Sequence, residues 1–183
     1  MTVISLLRGV NLGPHRRIKM DALRKVYESV GLQSPQTFLQ SGNVVFSTQE
    51  RNLASLARRI EGAIEKNFGF TSDVILRTST ELKDVIRNNP FAKRKDIDPA
   101  KLLVVFLPGD PGDEARDKLR GLRADPDELY ASGRELYIYY PNGLARPKLS
   151  FAVIDKALRI SGTGRNWNSV TKLLDLAESL PAS

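Results

Sequence analysis

The sequence has no cysteine, one histidine and one tryptophan among its 183 residues. Without thiols there is no cysteine nucleophile, no disulfide framework, no thiolate metal centre and no Cys-x-x-Cys redox pair. With His15 as the only imidazole, a multi-histidine metal site is excluded, and a Ser-His-Asp triad would have to run through one residue in a strongly charged loop. No stretch approaches the ~18 consecutive apolar residues of a membrane span, so no membrane partner is expected. The opening residues, Met1 to Arg8, offer neither a basic leader region nor a small-residue cleavage site. Their apolar run reads as a buried strand, and a cytoplasmic location is expected.

What is abundant is positive charge: 28 Lys and Arg against 21 Asp and Glu, net +7. Residues 1–30 carry six bases and two acids, residues 146–183 six and three, and residues 111–145 five and seven, so the excess sits at the two ends of the chain. If the fold joins those ends, they form one positive region, a field suited to nucleotides, nucleic acid or phosphorylated metabolites. The alternative is a basic protein whose lysines and arginines are simply solvated.

Hydrophobic periodicity orders the chain. Strand 3–8 precedes helix 20–30, with Met20, Leu23, Val26, Tyr27 and Val30 on one face. Strands 36–40 and 43–47 join at Ser41-Gly42, and helix 52–67 and strand 73–77 follow. This is the β-α-β-β-α-β order of the ferredoxin-like, split βαβ unit. After a linking helix near 80–88 the pattern restarts with strand 102–107, helix 113–122, strands 128–131 and 135–140 joined at Ser132-Gly133, and helix 148–158 after Pro147. Helix 168–179 ends the series. The expected fold is α/β (α+β): two related ferredoxin-like βαββα units in tandem plus a C-terminal helix. Residues 1–88 and 101–183 are the halves, 89–100 the connection, together one compact unit. Leu7-Arg8-Gly9 matches Leu107-Pro108-Gly109 at an offset of 100, and Ser41-Gly42 matches Ser132-Gly133 at 91. The missing nine residues place an addition in the basic loop 10–19.

Four motifs stand in one order along the chain: Leu7-Arg8-Gly9-Val10-Asn11-Leu12-Gly13; Ile18-Lys19-Met20 with Leu23; Gln40-Ser41-Gly42-Asn43-Val44-Val45-Phe46; and Arg165-Asn166-Trp167-Asn168 with Thr171-Lys172-Leu173-Leu174. In these the chain resembles the bacterial family catalogued as domain of unknown function 1697. Members commonly have Gly-Lys or Gly-Gly-Lys around positions 13–16, where this chain has Gly13-Pro14-His15-Arg16-Arg17. The departure keeps the charge and stiffens the loop at Pro14. The resemblance implies an α/β fold of related halves and no particular reaction, so no catalytic residue can be carried over.

Two glycine-containing entries to helices are the candidate sites. Between the first strand and helix, Gly9 to Gly13 could aim backbone N–H groups at an anion, with Arg8, Asn11, Arg16, Arg17 and Lys19 adding charge-assisted hydrogen bonds. The spacing matches neither a Walker A loop nor a dinucleotide fingerprint. The structural alternative is a turn in which Asn11 bonds the main chain locally. Gly162-Thr163-Gly164-Arg165-Asn166-Trp167 repeats this logic, with Arg165, Asn166 and Lys172 completing a pocket, or else Asn166 or Asn168 caps the last helix and Trp167 anchors it. Gln40 and Asn43 could read a ligand from the hairpin, or serve ordinary turn chemistry.

Tyr137 and Tyr139 share a strand face, with Tyr140 on the other, either for base stacking or for packing. The acidic groups around Asp96, Asp110 and Asp125 read as solvated turns rather than magnesium ligands. The expectation is a binding module with a basic pocket for an anionic ligand, nucleic acid or a phosphorylated small molecule, needing no metal and no cofactor. A cofactor-free enzyme or a protein-interaction module are the alternatives.

Overall fold

The computed structural model describes residues 1–181. Its elements are β1 (Thr2–Leu7), α1 (Met20–Ser29), β2 (Gln33–Phe38), β3 (Asn43–Ser47), α2 (Leu53–Phe68), β4 (Val74–Thr78) and α3 (Ser79–Arg87). A 3-10 turn, Pro99–Lys101, leads to β5 (Leu102–Phe106), α4 (Asp113–Arg120), β6 (Glu128–Ser132), β7 (Glu135–Tyr139), α5 (Phe151–Leu158), β8 (Thr163–Asn166) and α6 (Trp167–Ser179).

Each half is a four-stranded antiparallel sheet, ordered β2-β3-β1-β4 in the first and β6-β7-β5-β8 in the second. The fold is thus α/β, with two tandem βαββα units followed by a helix. The ladders superpose in register: Val3 pairs with Phe46 and Thr78, and Leu103 pairs with Ile138 and Asn166. The offset between halves is therefore 100 at the central strand, 92 at its hairpin partner and 88 at the edge strand. Eight residues of the difference fall between β1 and β3, where the basic loop lies. The helix caps repeat as well: Thr78 Oγ1 accepts from Glu81 N at 3.1 Å and Asn166 Oδ1 from Ser169 N at 2.9 Å, each three residues on.

The chain divides into two compact units, Met1–Asp84 with residues 172–181, and Val85–Thr171. These do not coincide with halves 1–88 and 101–183. The first boundary falls inside α3, and the segment 89–100 belongs to the second unit.

In the first unit α1 and α2 cover one face of the sheet. Leu23, Val26 and Tyr27 of α1 and Leu56, Ile60 and Ile64 of α2 meet Val3, Leu7, Val44 and Phe46. The helical spacing of these residues makes one apolar stripe on each helix. Asn52 caps α2 through Ser55 N, and Gly69 ends it at φ 76°, a conformation that favours glycine. In the second unit Leu119, Ile154 and Leu158 pack on Leu103, Val105, Leu136 and Ile138.

Three boundaries differ from the pattern reading, each for a local reason. The first hairpin turns over residues 39–42 rather than at Ser41-Gly42, because Leu39 (φ 59°) and Gly42 (φ 78°) take left-handed backbone. Helix α5 begins at Phe151, not after Pro147, because Asp127 Oδ2 accepts from the Lys148 and Leu149 amides at 2.6 and 3.0 Å and Ser150 caps the helix. The third is β8, where a glycine-containing loop was expected. A Cβ on Gly162 would lie 2.6 Å from Phe106 O, and one on Gly164 would lie 2.7 Å from Phe151 Cζ. The glycines leave room for the central strand and for Phe151 of α5 rather than for a ligand.

Three buried tyrosines bear on stability at alkaline pH. Tyr27, Tyr137 and Tyr140 are all but fully buried, and burial pushes each phenol above its usual value near 10. A phenol that stays neutral in the folded chain stabilises it fully below about pH 10, and that contribution drains away as the unfolded phenol ionises above it. Arg165, which burial pushes down to about 10, works in the opposite sense, one group against three. Denaturation midpoints are expected to fall above about pH 10, less steeply in Tyr27→Phe; a level profile well beyond that pH would contradict this.

Candidate functional site

The loop 8–19 is ordered by its own side chains. Asn11 sits at φ 56°, and its N–H donates to Arg16 O at 3.0 Å. Its side chain accepts from Ile18 N at 2.8 Å and donates to Ile18 O at 3.1 Å, replacing a strand neighbour, and also reaches Gln40 O at 2.6 Å. Val10 and Ile18, both buried, fasten the two ends of the loop to the core of the first unit.

The arginines of the loop are engaged. Arg8 pairs with Asp73 at 3.1 Å on the surface. Arg16 donates to Thr71 O and lies 5.4 Å above the Phe70 ring. Arg17 Nε donates to Gly13 O at 3.2 Å.

Lys19 is placed differently. It occupies the N-cap position of α1, and no side chain caps the helix there, since an ammonium offers no acceptor. The start of α1 opens into a concavity of about 480 Å³ lined by Lys19, Met20, Asp21, Ala22, Lys25 and Gln40. Two ammonium groups and the positive end of a helix thus outweigh one carboxylate, which also has Arg24 at 3.7 Å. A second hollow of about 300 Å³ shares Ala22 and Lys25 and continues to Phe68.

The matching corner of the second unit has the opposite character. Gly112 is at the N-cap position of α4, Asp113 and Glu114 fill its first turn, and Asp110 Oδ1 accepts from Gly112 N at 2.8 Å. Arg116 closes the corner by binding Asp110, Asp113 and Gly133 O.

The residues expected around the site therefore separate. Lys19 and Gln40 line one concavity, and Asn11 holds Gln40 in place. Arg8, Arg16 and Arg17 bond within the loop and its surroundings. Asn43 is fully buried and donates to Phe38 O at 2.7 Å and Ser41 Oγ at 2.9 Å, which is turn chemistry. Arg165 is 7% exposed in β8, where Nη1 donates to Thr163 Oγ1 and Gly164 O at 2.8 and 2.9 Å. Asn166 caps α6, and Lys172 is exposed on that helix. Lys25 was missed. The available signal was its place one helical turn beyond Asp21 and Ala22, on the solvent side of α1.

The tyrosines are packing residues: Tyr137 OH donates to Val85 O at 2.7 Å, Tyr139 OH to Asp96 O at 3.2 Å and Tyr140 OH to Leu149 O at 2.8 Å. Phe91 stands 6.0 Å from the Tyr139 ring, so this strand face is covered. The acidic groups are bonded in turn. Arg94 binds Asp96 and Glu128, which raises the guanidinium and lowers the Asp96 carboxyl. Among the described residues no group of three or more His, Cys, Asp or Glu is placed to hold a metal. No helix among them is long and apolar enough to cross a membrane.

Fold and site define an α/β protein of two tandem units, with a basic surface concavity on the first. The chain belongs to the family described as "Protein of unknown function (DUF1697)", whose model matches residues 1–137. It is similar in structure to a conserved bacterial protein, SP0830 from Streptococcus pneumoniae. The TM-score is 0.72 at 20% sequence identity, covering 96% of this chain and 98% of that one, a likeness that shows the fold. No curated protein matches the sequence.

Proposed function

We propose that the protein is a binding module whose concavity at the start of α1 receives a phosphate-bearing anion. The observation that carries this reading is the start of α1, which no side chain caps and which opens between Lys19 and Lys25. Unbonded N–H groups and the helix dipole favour an anion, and an ammonium on each side adds charge-assisted hydrogen bonds. The acidic, closed corner at α4 supports the contrast, since a general feature of the fold would be basic in both units.

A small phosphorylated ligand suits the site better than nucleic acid. The volume lies in the usual range of small-molecule sites. Tracking a nucleic acid backbone needs cations free along several phosphates, whereas Arg8, Arg16 and Arg17 are bonded within the protein. Arg165 and Asn166 are not part of this reading. The ferredoxin-like halves are read as copies of one ancestral unit, with the basic loop acquired by the first. The same reading places the protein in the cytoplasm.

Calorimetric titration with inorganic phosphate and with a nucleoside 5′-monophosphate tests it. Lys19→Glu is expected to weaken both by about tenfold or more, because it swaps an attractive charge for a repulsive one at the helix start. Equal affinity in wild type and variant would remove the concavity from the function. Tighter binding of an oligonucleotide, falling steeply with salt, would favour nucleic acid instead.

A further inference from the structure

Two large apolar side chains are exposed on the segments next to this concavity. Leu12 is 79% exposed in the basic loop and Leu39 is 53% exposed in the β2–β3 turn. The Asn11 to Gln40 hydrogen bond of 2.6 Å joins their immediate chain neighbours, so both leucines belong to one tip. Asn11 N–H to Arg16 O closes the loop, and a Cβ on Gly42 would lie 2.6 Å from Val10 Cγ2, so the turn sits hard against it. The tip is held in shape, and it presents leucine to water.

Its surroundings are cationic. There is no acid before Asp21, and Arg17 and Lys19 are both exposed. Gln40, next to Leu39, lines the concavity with Lys19 and Lys25. Exposed leucines on segments that also carry exposed bases complement a surface that is soft and apolar beneath an anionic layer, which is the build of an anionic lipid leaflet. Leucine makes no base-edge hydrogen bond and stacks poorly, which disfavours nucleic acid.

We propose that this tip docks on an anionic lipid surface, Leu12 and Leu39 entering the interface while a lipid phosphate occupies the concavity at α1. The membrane is met from outside; among the described residues no helix is long and apolar enough to cross it. For its headgroup contact the proposal rests on the anion-binding reading above.

Co-sedimentation of the full chain with vesicles of phosphatidylcholine alone, and of phosphatidylcholine with phosphatidylglycerol, tests it. Wild type is expected to sediment with the anionic vesicles and not with the neutral ones. A double variant, Leu12→Ser with Leu39→Ser, is expected to lose about tenfold in partitioning per leucine. Its affinity for inorganic phosphate should be unchanged, which also shows that it is folded. No sedimentation of wild type, as when the tip serves an acidic protein instead, overturns the proposal. Equal partitioning of wild type and double variant also overturns it, because adsorption would then be electrostatic alone. Phosphate binding without vesicle binding leaves the anion site standing and removes the lipid. Leucine-dependent vesicle binding without phosphate binding keeps the docking tip and removes the headgroup pocket.

Discussion

Gly162→Ala is expected to destabilise the protein by about 3 kcal/mol, seen as a lower urea midpoint with an unchanged slope. The added Cβ would fall 2.6 Å from Phe106 O, 2.7 Å from Val105 Cγ1 and 2.9 Å from Leu107 Cδ2. The first of these is backbone of the central strand and cannot swing aside as a side-chain end can, so β8 must separate from β5. Leu103, Val104, Val105 and Phe106 of β5 are paired to β8 residues, and the displacement would break those pairs. Gly109→Ala is the control, because nothing lies within 4 Å of its added Cβ. It is expected to change stability by less than about 0.5 kcal/mol. If Gly162→Ala were as stable as wild type, the glycine would be serving flexibility and the ligand-loop reading of this segment would return.

Arg165→Ala is expected to cost about 3 kcal/mol as well, while leaving phosphate affinity unchanged. The side chain is nearly all buried, and its removal leaves a large void and strips Thr163 Oγ1 and Gly164 O of a donor. Arg77 of β4 has the matching place in the first unit: it is 1% exposed and its Nη1 donates to Leu76 O, the carbonyl of the residue before it, as Arg165 does to Gly164 O. A pair of arginines in matching register, both bonded inward, belongs to the construction of the sheets. Loss of phosphate binding in Arg165→Ala at unchanged stability would return Arg165 to the site.

What the sequence made legible was whatever depends on local periodicity. The stripes Leu23, Val26, Tyr27 and Leu56, Ile60, Ile64 announced α1 and α2, and the apolar run Leu102 to Phe106 announced a central strand. Strand β8 was illegible because Gly162, just before it, and Gly164, within it, leave room for Phe106 and Phe151, contacts that exist only in the fold. The split of the chain at α3 was illegible for a similar reason. The bond from Tyr137 OH to Val85 O is made across 52 residues.

At the candidate site, charge and glycine singled out the loop together with Lys19 and Gln40, which the fold brings to one concavity, but composition does not say which cations are already bonded. Arg16 was a candidate contact for an anion and is held by Thr71 O and Phe70, whereas Lys25, not among the candidates, lines the concavity. Asn11 was a candidate ligand and is a brace for the loop, a role that follows from four main-chain bonds visible only in the fold.

The central claim is that the start of α1 binds phosphate, and amide chemical shifts report on it most directly. Inorganic phosphate titrated into the labelled full chain is predicted to move the amides of Met20, Asp21 and Ala22 saturably, with Gln40 following. The amides of Asp113 and Glu114 at α4 should stay still, and Lys19→Glu should raise the phosphate concentration needed for the response by about tenfold or more. Shifts equal at both helix starts, or none at α1, would contradict it.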